Sequence, residues 1–336
     1  MEGINYPVNE RLLALLACPR CHSHHLEVEG ECSDPPAEAI VCTSCRSCYP
    51  VVGGIPQMLP AHLADVLEQK SGYLERLREE LARGEGGPVQ AASADIETDR
   101  FMWEHQLYEW GKEVISRDQR ALELYASYAQ DGARSLCRFI TEWAGGVEGK
   151  ALLYVGSGND RPVSLPLQEA GAFMVSLDIV LDSLLDLRLA GAQALVCGDL
   201  RCLPFRDGAF DVAFSKGSLH HSHPIDVPLQ EMARVVKGGG HIVIAEPNRR
   251  ALLNIPRSLI PPGMARPTPY ETSIAARQVA ACLGQAGFAS LRARGLTHAP
   301  PGIPRPLARL WRGLGELMPP IFDRFAFEFI LHGRKQ

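Results

Sequence analysis

The chain has no uninterrupted apolar run of the roughly 18 residues that a membrane-spanning helix requires. "LLALLA" at 12–17 is apolar but short, and cysteines follow it at once, so it does not read as a secretory leader. No membrane span is expected, and the default location is cytoplasmic. Positive charge is also scarce: 34 Lys and Arg stand against 39 Asp and Glu, a net charge of −5. That balance gives no general pull toward nucleic acid and leaves only a local basic patch open. Cysteine is sparse over most of the length. Of ten, six lie between 18 and 48 and four are isolated in the remainder, whose ordinary composition needs no disulfide scaffold. No internal repeat is present. What remains is a 336-residue chain with 46% hydrophobic residues, enough for one large domain and one or two small ones.

Three regions are expected. Residues 1–60 hold the cysteines and end in the Pro/Gly-punctuated "YPVVGGIPQMLP". Residues 61–146 read as a helical linker or cap. Leu63, Val66, Leu67, Leu74, Leu77 and Leu81 recur at helical spacing, and aromatics from Phe101 to Trp143 suit packing on the catalytic domain or roofing its cleft. Residues 147–336 alternate strands and helices, the pattern of a doubly wound α/β sheet. The strands expected are "KALLYVG", "AFMVSLD", "ALVCGD", "FDVAFS" and "HIVIAE", with "SLRARG" and "FAFEFILHG" closing the sheet. "GGG" at 238–240 is expected to turn the chain between a helix and the fifth strand. Proline-rich stretches at 248–272 and 296–320 read as lids.

The first strand runs into Gly156-Ser157-Gly158-Asn159-Asp160. Glycines let the backbone turn tightly beside a ligand, and the next helix offers unpaired N–H groups. A third glycine is missing, so this is no dinucleotide fingerprint, and no G-K-[ST] closes it into a P-loop. Asp178 ends the second strand, where a carboxylate accepts both hydroxyls of a ribose. Asp199 ends the third, where a carboxylate receives the exocyclic amine of an adenine. A helix cap is the plain alternative for each. A nucleoside without phosphates fits these acids, and S-adenosylmethionine is such a ligand.

These segments resemble class I S-adenosylmethionine-dependent methyltransferases of the type 11 group. The resemblance rests on "LLYVGSGND", "GDLRCLPFRDGAFDVAFSKGSLHH" and "EMARVVKGGGHIVIAEP". It implies a Rossmann-like methyltransferase sheet and a cofactor site of Gly156, Gly158, Asp178, Asp199, Leu200 and Ser215, to which Ser157, Ile179 and, on chemistry and spacing, Asp160 are added as candidates. Two positions depart from the group. Tyr154 stands where an acid is usual, and Asp160 where a third glycine is usual. Asp160 is expected to replace the missing acid by meeting the methionine ammonium.

Cys18-x₂-Cys21 and Cys42-x₂-Cys45 present two thiolates at each of two turns, together a tetrahedral four-sulfur site that suits Zn²⁺. An iron–sulfur centre is the alternative, and His22, His24, Cys32 and Cys48 are spare ligands. Residues 11–60 resemble the small Trm112-like zinc domain, which favours Cys18, Cys21, Cys42 and Cys45. A domain of this size makes little core alone, so metal binding supplies folding energy.

His220, His221 and His223 follow the fourth strand beside the expected methyl donor. Imidazole has the reference pKa of a base near neutrality, so any of them suits a general base; loop packing is the plain alternative. The expected activity is methyl transfer to a small organic or lipid-like molecule. An RNA methyltransferase and a degenerate binding protein are the rivals. Nucleic acid is disfavoured as a partner, and a homo-oligomer stays open.

Overall fold

The structure is a computed structural model that describes residues 7–30, 38–61, 63, 104–105, 108, 119–248, 274–297, 326 and 328–336, with the backbone alone over 119–129. The helix expected over 61–81, most of the aromatic segment before residue 119, and the two expected lids lie almost wholly outside the described residues.

Near the N-terminus, a short helix α1 (Glu10–Leu13) is capped by Asn9, whose side chain accepts the Leu12 N–H. It leads into a four-stranded sheet in the order β1 (Leu26–Glu29), β2 (Ala39–Cys42), β3 (Cys48–Val52), β4 (Ile55–Pro56).

The large sheet has seven strands: β5 (Ala151–Val155), β6 (Phe173–Asp178), β7 (Ala194–Cys197), β8 (Phe210–Lys216), β9 (Val236–Pro247), β10 (Phe288–Thr297) and β11 (Glu328–Lys335). Their order is β10-β11-β9-β8-β5-β6-β7. The strands from β5 to β9 run parallel, and β11 lies antiparallel between β9 and β10. Every residue of β5 is buried, which is why it reads as an apolar run rather than an alternation. Its side chains still divide by the two-residue period of a strand. Leu152 and Tyr154 pack with helices α2 (Gln119–Trp143) and α3 (Arg161–Glu169) through Leu136, Ile140, Val163 and Leu167. Ala151, Leu153 and Val155 join the opposite face, with Leu229 and Met232 of α5 (Asp226–Val235) and Leu283 of α6 (Ala276–Gln285). Between β6 and β7 runs α4 (Leu181–Leu189).

The expected turn at 238–240 falls inside the span of β9, which begins at Val236 directly after α5. The pairing with β8 jumps from Phe210–Val236 to Val212–His241, so the glycines bulge out of the ladder with Gly239 turning at φ 77°, and close approach adds to this, since a Cβ on Gly240 would lie 2.8 Å from the Asp211 carbonyl oxygen.

The cysteine-bearing sheet does not stand apart. Leu12, Leu16, Cys18 and Cys42 belong to the same buried cluster as Leu153, Leu177 and Phe205. Leu16 bridges Phe205 antiparallel, and Gln57 bridges Cys197 parallel at the β7 edge. Backbone bonds fix the join: Met58 N–H to the Cys197 carbonyl at 2.7 Å, Ala17 N–H to Pro204 at 3.0 Å, and Arg206 N–H to Leu15 at 3.0 Å. The segment 197–206, which carries Asp199, is thereby held between two parts of the small domain.

Candidate active site and metal centre

In the small domain, each Cys-x₂-Cys pair forms the same turn. The N–H groups of His22 and Arg46 reach back to the carbonyls of Cys18 and Cys42, both at 2.8 Å. His22 and Arg46 take φ of 58° and 61°, left-handed values that the paired turns impose on ordinary side chains. The Sγ atoms of Cys18, Cys21, Cys42 and Cys45 all lie within 4.8 Å of one another, with Cys18–Cys45 and Cys21–Cys42 at 3.6 Å. Tetrahedral zinc with bonds of about 2.3 Å separates its sulfurs by about 3.8 Å, so the donor set fits. Cys48 lies exposed on β3 and does not join the cluster, while Cys32 falls outside the described residues. The Cys18 sulfur also lies 3.0 Å from the Tyr49 hydroxyl.

At the carboxyl edge of the large sheet, strand order reverses between β5 and β8, and a crevice opens there in folds of this topology. The glycine turn leaves β5 with Gly156 at φ 66° and Gly158 at φ 50°. Ser218 packs on Gly156 so closely that a Cβ there would lie 2.3 Å from the Ser218 Cβ. Ser218 Oγ donates to the Val155 carbonyl at 3.1 Å and lies 2.6 Å from Ser215 Oγ. Buried Ser157 donates its N–H to the Leu177 carbonyl.

Asp178, at the end of β6, holds this turn in place. Its Oδ2 accepts the Gly158 N–H at 2.7 Å and its Oδ1 accepts the Val180 N–H at 2.9 Å. Burial pushes its carboxyl up to about 6, against the lowering effect of those two bonds. Ile179 follows it, partly buried. Asp199 is 3% exposed and engages Arg201, whose Nη2 lies 2.6 Å from Oδ2 and whose Nε lies 3.1 Å from both oxygens. Arg201 had no role in the sequence reading, and its spacing from Asp199 was the available signal. Leu200 between them is partly buried.

The rings of His220 and His221 lie 4.2 Å apart but take different carboxylate partners. His220 Nδ1 lies 2.7 Å from Glu246 Oε2, and His221 Nδ1 lies 3.0 Å from Glu104 Oε1. His223 is exposed. Glu246, fully buried at the end of β9, also accepts the N–H groups of Ser218 and Leu219 through Oε1. One carboxyl thus sets the Ser218–His220 turn that packs on the glycine loop. Glu104 and Tyr108 come from the segment before α2. Tyr108 donates to Asp186 Oδ2 at 2.5 Å on α4, so these described residues lie across the edge that carries Asp178 and His221.

Residues 153–244 match the methyltransferase domain family, and residues 9–54 match the Trm112p-like family. The chain is thus similar to a methyltransferase domain over 153–244 and to a Trm112p-like domain over 9–54, the latter carrying the four clustered cysteines. The demethylmenaquinone methyltransferase of Renibacterium salmoninarum is 34% identical over 110 residues, covering 32% of this chain and 46% of that protein. The enzyme of the same name from Streptomyces avermitilis is 37% identical over 87 residues, covering 25% and 36%. The chain therefore spans less than half the length of these curated relatives. Among solved structures, an S-adenosylmethionine-dependent methyltransferase of Thermotoga maritima superposes with a TM-score of 0.50 at 12% identity, covering 70% of this chain and all of that one. That likeness shows the fold of the methyltransferase domain. The donor set at its switch point fits the cofactor's parts: open space at Gly158, where a Cβ would meet nothing within 4 Å, and a paired-acceptor carboxylate at Asp178. Among the described residues, no helix is long and apolar enough to cross a membrane.

Proposed function

We propose that this chain is an S-adenosylmethionine-dependent methyltransferase acting on a small organic or lipid-like molecule. The observation that carries the reading is Asp178 at the switch point, bonded to the turn that Gly156 and Gly158 open. When bound, the cofactor supplies a methyl group on a sulfonium, ready for displacement by a nucleophile. Gly156, Ser157 and Gly158 are assigned to its methionyl part and Asp178 with Ile179 to its ribose. Asp199 and Leu200 are assigned to the adenine, with Arg201 holding the Asp199 carboxyl in place. Ser215 is assigned to the floor beneath the sulfonium.

Three residues then prepare the acceptor. Glu246 fixes the His220 ring by its Nδ1 edge, which makes Nε2 the nitrogen that takes a proton from the substrate. His221, tied to Glu104, closes the side of the site instead. Tyr108 and Glu104 exclude water along α4, where a sulfonium needs a dry, oriented approach. His223, exposed, is the weakest of the three histidines for a role as base. The zinc site is structural in this reading, because it braces the segment that carries Asp199. Four cysteine ligands suit a reducing compartment such as the cytoplasm.

The relatives named for demethylmenaquinone support a small substrate, as does the net charge of −5. The deciding experiment supplies methyl-labelled methionine to cells with and without the gene. Gene-dependent label in a small organic product supports the reading. Gene-dependent label in RNA alone replaces it with the nucleic-acid alternative.

A further inference from the structure

Tyr154 occupies the position at which this methyltransferase group was expected to carry an acid, yet an acid is close at hand. Its hydroxyl donates to Asp160 Oδ2 at 2.9 Å, and the Lys216 ammonium donates to the same oxygen at 2.9 Å. Asp160 stands at the N-cap position of α3, where an aspartate ordinarily bonds the first free N–H groups. Here its side chain makes no capping bond. The carboxyl is turned away from its own helix toward the end of β8. Lys216 is the last residue of that strand, directly after Ser215. Both partners are mostly buried, with side chains 15% and 16% exposed. Tyr154 is 1% exposed and stacks on Phe214, with ring centroids 4.6 Å apart. Burial, and after it Asp160, push the Tyr154 hydroxyl well above its ordinary range, so it stays a donor. The neighbouring Cys137 thiol is pushed up to about 12, by burial first and then by Asp160, and is neutral beside the pair.

One positive and one negative group therefore stand side by side where the glycine turn meets the end of β8. A lone helix cap needs no lysine, and a surface ion pair is not set on a buried tyrosine. The ligand such an array complements is a zwitterion whose ammonium and carboxylate share one carbon. Charged groups in a poorly hydrated site hold such a partner far better than in water. We infer that Asp160 and Lys216 form a two-charge clamp for the α-amino-acid end of the cofactor. Asp160 takes the ammonium and Lys216 the carboxylate, with Tyr154 as the donor that fixes Asp160. The inference rests on the proposed use of S-adenosylmethionine. It differs from the sequence expectation by making Lys216 an equal partner and giving Tyr154 a positioning role.

The test compares two ligands on the full zinc-loaded chain by calorimetric titration. S-adenosylhomocysteine carries the amino-acid end; methylthioadenosine has the same nucleoside and a thioether without it. In Asp160→Asn and Lys216→Met, affinity for S-adenosylhomocysteine should fall at least tenfold. Affinity for methylthioadenosine should stay within about twofold, which also shows that the fold survives. Tyr154→Phe should weaken S-adenosylhomocysteine alone, by a smaller factor. A ratio of the two affinities unchanged in both charge variants overturns the clamp while leaving the cofactor reading intact. Failure of the unaltered chain to bind either ligand overturns both.

Discussion

Replacing Gly156 by alanine probes the packing on which the whole site depends. Gly156 sits at φ 66°, and its new Cβ would lie 2.3 Å from the Ser218 Cβ and 2.4 Å from its Oγ. Carbon atoms in contact lie about 3.5–4.0 Å apart, so Ser218 has to retreat by more than an ångström. The left-handed backbone alone costs an ordinary residue roughly 1–2 kcal/mol. Retreat of Ser218 also gives up its bond to the Val155 carbonyl, its contact with Ser215 and its N–H bond to Glu246. At about 1 kcal/mol each, the total comes to roughly 4–5 kcal/mol. Denaturant unfolding of Gly156→Ala, with titration of S-adenosylhomocysteine, reads both consequences. The contact also predicts its own rescue. Gly156→Ala combined with Ser218→Gly removes the clashing atoms and should recover stability relative to the two single effects added together. A cost under about 1 kcal/mol for Gly156→Ala, or strict additivity in the double variant, would refute the reasoning.

Three further outcomes are expected. Burial holds the ligand-free Asp178 carboxyl up to about 6, whereas a ribose diol donates to its ionised form. Affinity for S-adenosylhomocysteine should therefore weaken as pH falls through 6, with proton release on binding seen in buffers of different ionisation enthalpy; pH-independent binding between 5 and 8 would count against Asp178. For folding the sign is opposite, since this raised carboxyl favours the folded state at low pH and that contribution is lost as pH rises through 6. One zinc per chain should be present by elemental analysis, and Cys42→Ser should lose it. Because Leu16 and Cys42 share a core with Phe205, that loss should also lower the unfolding midpoint of the methyltransferase domain; an unchanged midpoint would sever the two. Glu246→Gln places an amide opposite His220 Nδ1 and favours the wrong tautomer, so turnover should fall by about 10²–10⁴ while cofactor affinity changes little. Unaltered turnover with the product of the labelling experiment would remove His220 from the chemistry.

The strands of the sheet were legible because a parallel strand buried on both faces must be a short apolar run, as β5 and β7 are. The positions of their carboxyl ends were legible too, with the glycine turn after β5 and Asp178 at the end of β6. The start of β9 was not. Three glycines read as a turn ahead of the strand, whereas they form a bulge within it, with Gly239 at φ 77° and Gly240 too close to the Asp211 carbonyl for a side chain. The four zinc cysteines were legible from spacing alone, and the structure brings them together. The continuity of their domain with the methyltransferase core was not, because Leu16 meets Phe205 from far along the chain and no local pattern announces it. Partners across the site were hidden for the same reason. Ser218 has its place only because β8 lies beside β5, and Glu104 meets His221 from a different segment altogether. Lys216 was visible beside the histidines, but its pairing with Asp160 depends on the sheet order.

Everything proposed for this chain depends on the Asp178 switch point binding S-adenosylmethionine. Calorimetric titration of the full, zinc-loaded chain with S-adenosylhomocysteine at pH above 7 tests it most directly. One saturable site per chain is expected, weakened in Asp178→Ala by about 2–4 kcal/mol, or roughly 30- to 700-fold in Kd. No binding by the unaltered chain, or equal binding by Asp178→Ala, would contradict it.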